Sequence, residues 1–252
     1  MYKIPANTLF LGKNLVFVPQ CHSTNTLLME LAQKTQPIEG TLVITANQTK
    51  GRGQRGNGWE TEPAANFTIS LLLRPTFLMA KDQFQLTQAI SLGIADYLSE
   101  RLTKSISIKW PNDILVGNKK ITGILIENTL SGDYIQQSII GIGLNVNQTI
   151  FNISTATSMQ LENGYSFQLQ EELGLLLANI EKRYLQLRAG KKLELNEEYL
   201  KRLYWKGEVR KFSANEKILV GKIEGVDSIG RLLVRQGDKV DSFGLKEIAF
   251  VE

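Results

Sequence analysis

A chain of 252 residues is long enough to bury a sizeable core, as one large domain or as a medium domain with a small appendage. Its 42% hydrophobic and 21% charged content is ordinary for a globular protein, and a net charge of +4 argues no more for nucleic acid than for a small anionic substrate. One cysteine and one histidine, Cys21 and His22, exclude a disulfide framework, a cysteine-based zinc site and a multi-histidine metal centre, and leave His22 as the sole base available to a Ser-His-Asp triad. No apolar run approaches the roughly 18–20 residues of a membrane span. No charged segment followed by a long apolar one opens the chain, so the sequence reads as that of a cytoplasmic protein.

Ser23-Thr24-Asn25 precedes apolar residues at 27, 28 and 31, the pattern of a helix with a hydroxyl N-cap. Thr41–Ala46 and Asn66–Leu73 are compact β-prone runs, the second ended by Arg74-Pro75. Phe84, Ile90, Ile94, Tyr97 and Leu98 recur at helical spacing and predict an amphipathic helix from Asp82 to about Leu102. Ile106–Trp110, Ile121–Glu127 and Ser138–Asn145 read as strands, two of them joined through the Gly117-Asn118 turn as an antiparallel hairpin. The stripe of Leu173, Leu176, Leu177, Ile180, Tyr184 and Leu187 predicts a helix over 168–189, stopped by Gly190, and a shorter one follows from about Asn196 to Tyr204. Beyond Trp205 the chain changes to short β-prone runs separated by glycines, the pattern of a small β-barrel or meander. Strands interleaved with helices, with no regular βαβ repeat, make residues 1–204 an α+β unit and 205–252 a second, all-β one.

Two segments stand out chemically. Gly51–Trp59 holds four glycines and two arginines in nine positions. Such a loop lets the backbone approach a ligand while Arg52 and Arg55 grip phosphate or carboxylate oxygens. It lacks the Gly-Lys-Ser/Thr of a Walker loop and the spacing of a dinucleotide fingerprint, and a plain surface loop has the same composition. Lys109-Trp-Pro-Asn-Asp113 brings an ammonium and a carboxylate to the ends of one stiff segment, which suits a phosphate with its metal ion and equally an edge strand ending in a surface turn. Lys119-Lys120 precedes Gly123-Ile-Leu-Ile-Glu127, and Gly141-Ile-Gly143 sets two small residues on one strand face, which admits a ligand or a packed backbone.

Together these segments resemble the biotin–protein ligase family, also called biotin–[acetyl-CoA-carboxylase] ligases. The resemblance is carried by Ser23-Thr24-Asn25, by Gln48 with Gly51-Arg-Gly-Gln-Arg-Gly56 and Trp59, by Lys109–Asp113, by Lys120 with Gly123-Ile-Leu, and by Gly141–Asn145, in that order over most of the chain. It implies a catalytic domain related to class II aminoacyl-tRNA synthetases and lipoate ligases, with a mixed, largely antiparallel sheet, followed by a small SH3-like barrel. It implies that Ser23, Thr24 and Gln48 hold the biotin ureido head with Asn25 supporting them, and that Gly51, Arg52 and Arg55 lie in a loop ordering over biotin and its adenylate. It implies further that Trp59 lines the nucleotide side, that Lys109 and Asn112 face phosphates, and that Asp113 lies near Mg²⁺. Lys120 would contact the biotin carboxylate and the α-phosphate, Gly123, Gly141 and Gly143 would keep the tail channel open, and Asn145 would support the nucleotide end. Lys120, Arg55, Arg52, Lys109 and Asp113 form the catalytic set so implied.

ATP and biotin would be the substrates and a biotin carboxyl carrier domain of acetyl-CoA carboxylase, or of another biotin-dependent carboxylase, the acceptor. Neither DNA nor membrane is expected as a partner, and the family allows monomers and dimers. Two departures stand out. Gln54 occupies a position where many members carry arginine, and Ser23 lies close to Met1, where bifunctional members carry a DNA-binding domain, so a ligase without a repressor role is expected. A lipoate–protein ligase is the neighbouring reading, disfavoured by the polar set Ser23, Thr24 and Gln48. An RNA-binding module is the reading of another class, disfavoured by a C-terminal part without an aromatic-basic recognition motif.

Overall fold

The computed structural model describes residues 2–54, 58–214 and 217–251. Its centre is a seven-stranded sheet in the order β1-β2-β3-β7-β6-β5-β4. The strands are β1 (Leu15–Cys21), β2 (Leu42–Gln48), β3 (Phe67–Leu73), β4 (Ile106–Lys109), β5 (Asp113–Val116), β6 (Lys119–Ser131) and β7 (Tyr134–Leu144). β1 and β2 run parallel, and every other neighbouring pair is antiparallel.

The period-2 alternation of side chains sorts this sheet into two faces. Leu42, Ile44, Phe67, Ile69, Leu71, Ile140 and Ile142 point into the large core cluster, while Val43, Leu72 and Ile139 join Leu28 in a small one. All seven residues of β3 are buried, as expected of a central strand covered on both sides. The large cluster is closed by α2 (Phe84–Arg101) and α4 (Leu169–Arg188), which pack on each other, with α5 (Lys192–Lys201) against α2. Gly93 permits the α2–α4 approach, since a Cβ there would stand 2.6 Å from the Ile180 Cα. Arg183 of α4 binds Asp96 of α2 and Glu198 of α5 at 2.5 and 2.6 Å, tying the three helices. The small cluster belongs to α1 (Thr24–Thr35), whose N-cap Ser23 accepts a hydrogen bond from the Thr26 N–H. A short α3 (Met159–Asn163) lies in the segment after β7.

Two expectations change in detail. The Gly117-Asn118 turn does not join the 106–110 strand to the 121–127 strand; it joins β5 to β6. The chain reverses within Trp110-Pro111-Asn112, where the Trp110–Pro111 bond is cis, so that Lys109 already pairs with Asp113 and an additional strand is made. The short helix expected over 196–204 starts earlier, at Lys192, because Leu195 and Tyr199, one turn apart, are its buried anchors.

The C-terminal part is a five-stranded antiparallel sheet, β11-β10-β9-β8-β12, built from β8 (Val209–Ala214), β9 (Lys217–Val226), β10 (Leu232–Gln236), β11 (Lys239–Phe243) and β12 (Ala249–Phe250). Where a barrel was expected, β11 and β12 remain the two edges among the described residues. Its buried side chains Phe212, Ile223, Leu232, Val234 and Ile248 are continuous with the large core cluster. A polar link adds to this: the buried Trp110 indole N–H donates to the Gly230 carbonyl at 2.8 Å. Among the described residues no helix is long and apolar enough to cross a membrane.

Candidate active site

The α1 face of the sheet carries a cavity of about 240 Å³, walled by the start of α1, the end of β2 with its glycine-rich continuation, and β3, β5, β6 and β7. Its position follows from local sequence. Helix α1 covers only part of that face, and from the small cluster towards Asn145 the strand residues become small or polar: Thr68 and Ser70 on β3, Gly141 and Gly143 on β7, Gly123 on β6.

One end is polar. Ser23, Thr24 and Asn25 are all buried at the α1 N-terminus. The Thr24 backbone N–H donates to Gln48 Oε1 at 2.9 Å, with the Thr24 hydroxyl 3.4 Å from the same oxygen. Ser70 Oγ lies 2.7 Å from Thr24 Oγ1 and 2.5 Å from Asn25 Oδ1, and Asn25 Nδ2 donates to Glu127 Oε2 at 2.7 Å. These groups hold one another through hydrogen bonds, and preorganised polar groups recognise a ligand at least cost.

The floor is made of glycines for a steric reason. A Cβ at Gly141 would come within 2.5 Å of Asn25 Oδ1, one at Gly143 within 2.2 Å of the Trp59 ring, and one at Gly123 within 2.9 Å of it. Trp59 is held there because its backbone N–H donates to the Gly51 carbonyl, with an isolated bridge between Arg52 and Gly58 beside it.

The other end carries charge. Lys120 Nζ lies 2.8 Å from Asp113 Oδ1 and 5.5 Å from the centre of the Trp59 ring. Asn112, also in the wall, donates from Nδ2 to the Ile124 carbonyl at 2.6 Å, which fixes the turn that presents Asp113. A second cavity of about 350 Å³ adjoins, sharing Gln54, Pro111, Asn112 and Ile124 with the first and reaching to Arg231 and Leu245 of the C-terminal part.

Of the residues singled out in the sequence, Ser23, Thr24, Asn25, Gln48, Arg52, Trp59, Asn112, Asp113, Lys120, Gly123, Gly141 and Gly143 line this one cavity. Gly51 stands just behind it, in backbone contact with Trp59. Lys109 is elsewhere: on the edge strand β4 its ammonium lies 5.1 Å from the Phe250 ring centre and 5.8 Å from that of Tyr204. Asn145 also stays out of the wall. It donates from Nδ2 to the Thr157 carbonyl, and the Thr157 N–H donates to the Lys120 carbonyl, so its influence passes to the strand bearing Lys120. Arg55 lies outside the described residues.

Three participants escaped the sequence reading: Thr68, Ser70 and Glu127. Small hydroxyls alternating with large apolar residues in Phe67-Thr-Ile-Ser-Leu71 were the available signal for the first two. Glu127 carried none, because a carboxylate late in a strand reads as solvent-facing.

Among the described residues Asp113 is the one carboxylate in the cavity wall, and no group of three or more His, Cys, Asp or Glu could hold a metal. This donor set fits a magnesium ion carried by substrate phosphates, which needs one or two carboxylates from the protein, and does not fit a cage made by the protein alone.

The arrangement is a single cavity with a buried polar end, a glycine floor and an ammonium–carboxylate pair. Residues 17–145 match the Biotin/lipoate A/B protein ligase family, and the chain belongs to that family. It is 34% identical over 179 residues to the bifunctional ligase/repressor BirA of Bacillus spizizenii, an alignment covering 69% of this chain and 54% of that protein, so the chain spans about half the length of that relative. It is 31% identical over 221 residues to the biotin–[acetyl-CoA-carboxylase] ligase of Paracoccus denitrificans, covering 84% of this chain and 90% of the other. The biotin protein ligase of Aquifex aeolicus, solved in complex with biotin and ATP, superposes with a TM-score of 0.78 at 27% identity, covering 94% of this chain and 98% of that one.

Proposed function

We propose that this protein is an ATP-dependent biotin–protein ligase, which activates biotin as biotinyl-5'-AMP and transfers it to a lysine of a biotin carboxyl carrier domain. One observation carries the reading: a single cavity joins the Ser23–Thr24–Gln48 polar end, a glycine floor and the Lys120–Asp113 pair, in the order of biotin's own ureido head, tail and carboxylate. The relatives and the Aquifex structure with biotin and ATP support it. A cavity of about 240 Å³ suits the acid rather than the whole adenylate, and the adjoining space beyond Asn112 leaves room for more.

In the first step a biotin carboxylate oxygen attacks the α-phosphorus of ATP, the bond to the β-phosphate oxygen breaks, and pyrophosphate leaves. A carboxylic acid of pKa about 4.3 is already ionised at neutral pH, so no general base is needed. Catalysis then consists of alignment and charge neutralisation. Thr24 and Gln48 fix the head, the glycine floor fixes the tail, and Lys120 presents its ammonium where the two anions meet. Arg52, in the wall, and Arg55 add positive charge, and Trp59 lines the nucleotide side. Asp113, on the turn that Asn112 fixes, would be the carboxylate to hold a Mg²⁺ carried by ATP, which would add further neutralisation. In the second step the neutral amine of the acceptor lysine attacks the acyl carbon, the bond to AMP breaks and the amine loses its proton. That proton passes to water.

Residues 1–204 would carry the catalysis and 205–252, joined to them through the shared core and Trp110, would support it. The expected setting is the cytoplasm, with a carboxylase carrier domain as partner. The test is transfer itself: the purified chain with biotin and MgATP should add one biotin mass to a carrier domain and none to a carrier whose acceptor lysine is replaced by arginine. Absence of any mass gain on an otherwise competent carrier would refute the transfer step.

A further inference from the structure

Glu127 takes no part in the chemistry just described, yet its carboxylate touches two separate parts of the site. It lies on the cavity-facing side of β6, alternating with Gly123 and Leu125, and pairs across the ladder with Ile139. Oε2 accepts from Asn25 Nδ2 at 2.7 Å. The Arg52 guanidinium donates to both carboxylate oxygens through one nitrogen, at 2.9 and 3.2 Å. Asn25 is the residue packed over Gly141 and bonded to Ser70, so it fixes the start of α1 on which Ser23 and Thr24 stand. Arg52 belongs to the glycine-rich segment whose backbone bridges to Gly58 and so carries Trp59 over the glycine floor.

We propose that Glu127 is a positioning residue for biotin binding, a latch that fixes the glycine-rich segment to the wall of the site through Arg52 while bracing Asn25. The proposal rests on the ligase reading for its substrate, not for its geometry. The latch is weak by construction: the Arg52 and Glu127 side chains are 45% and 27% exposed, and water screens such a pair.

The test compares the wild type, Glu127→Gln, Arg52→Gln and the double variant. Glutamine keeps an oxygen for Asn25 but no charge for Arg52. Two readouts are taken: tryptic cleavage after Lys50 in the ligand-free protein, and kcat and biotin KM in ATP–pyrophosphate exchange. Glu127→Gln should accelerate cleavage and raise KM by about two- to fivefold, with kcat within about twofold of wild type, and should add nothing in the Arg52→Gln background. An unchanged cleavage rate, or a full Glu127→Gln effect in the Arg52→Gln background, would overturn the proposal. If the wild type showed no biotin-dependent exchange, the ligase reading would fail, while the cleavage comparison would still decide whether Glu127 holds the segment through Arg52.

Discussion

The Lys120 ammonium lies 2.8 Å from the Asp113 carboxylate, between the neighbouring strands β6 and β5. Asp113 holds the lysine extended towards the cavity and offsets its charge until an anion competes for it. The approach of two anions, a carboxylate and a phosphate, is what would draw the ammonium from this partner.

Lys120→Ala should therefore slow adenylate formation by about a hundred- to a thousandfold, the magnitude typical of removing one preorganised charged donor. Arginine should not restore it, because a planar fork cannot replace a compact ammonium in this space. Single-turnover formation of the adenylate, measured by quenched flow, checks both.

Gly141→Ala should raise the dissociation constant of biotin by about tenfold, in line with the cost of overpacking a filled interior. The new methyl would fall 2.5 Å from Asn25 Oδ1, an atom already engaged by Ser70, so the start of α1 must move. Calorimetric titration with biotin alone measures the loss separately from any effect on ATP.

Glu181 makes a prediction about stability alone. This buried carboxylate accepts the backbone N–H groups of Leu9, Phe10 and Leu11 at 2.6, 2.8 and 2.8 Å, and so anchors the N-terminal segment to α4. Glu181→Ala should cost about 2–3 kcal/mol by stranding these donors, read from denaturant unfolding. The biotin affinity of the folded fraction should stay unchanged.

Glu162 should contribute to acid sensitivity. Burial pushes its carboxyl up, but Lys104 at 2.7 Å and the Thr157 hydroxyl outweigh that and hold it below its usual value of 4.5. A group depressed in the folded state gives stability that is present above its unfolded value and lost as pH falls through its folded one. Glu162→Gln should flatten the decline of melting temperature below pH 4.5 and lower the plateau at neutral pH. An unchanged acid limb would show that other carboxylates govern it.

The parts of this fold legible in the sequence were those with long, regular periodicity. Helices α2 and α4 announced themselves through apolar stripes, and β2, β3 and β7 through compact β-prone runs. Strand β1 was hidden by Pro19, tolerated here because β1 is an edge strand pairing only with β2. Strand β5 is four residues long and begins two positions after Pro111, too short to leave a period. The cavity lining was legible where its residues cluster in sequence, as at 23–25 and 112–113. It was illegible where function depends on meeting across distance: nothing local in Glu127 tells that Asn25 and Arg52 will converge on it. Lys109 shows the converse, a charge whose sequence neighbours line the cavity while its own ammonium sits over Phe250.

The most direct measurement is ATP–pyrophosphate exchange by the purified chain with MgATP, run with biotin, with lipoate and with neither acid. The account predicts exchange with biotin alone, slowed by about a hundredfold or more in Lys120→Ala. Exchange with lipoate and not biotin, or none with either acid from folded protein, would contradict it.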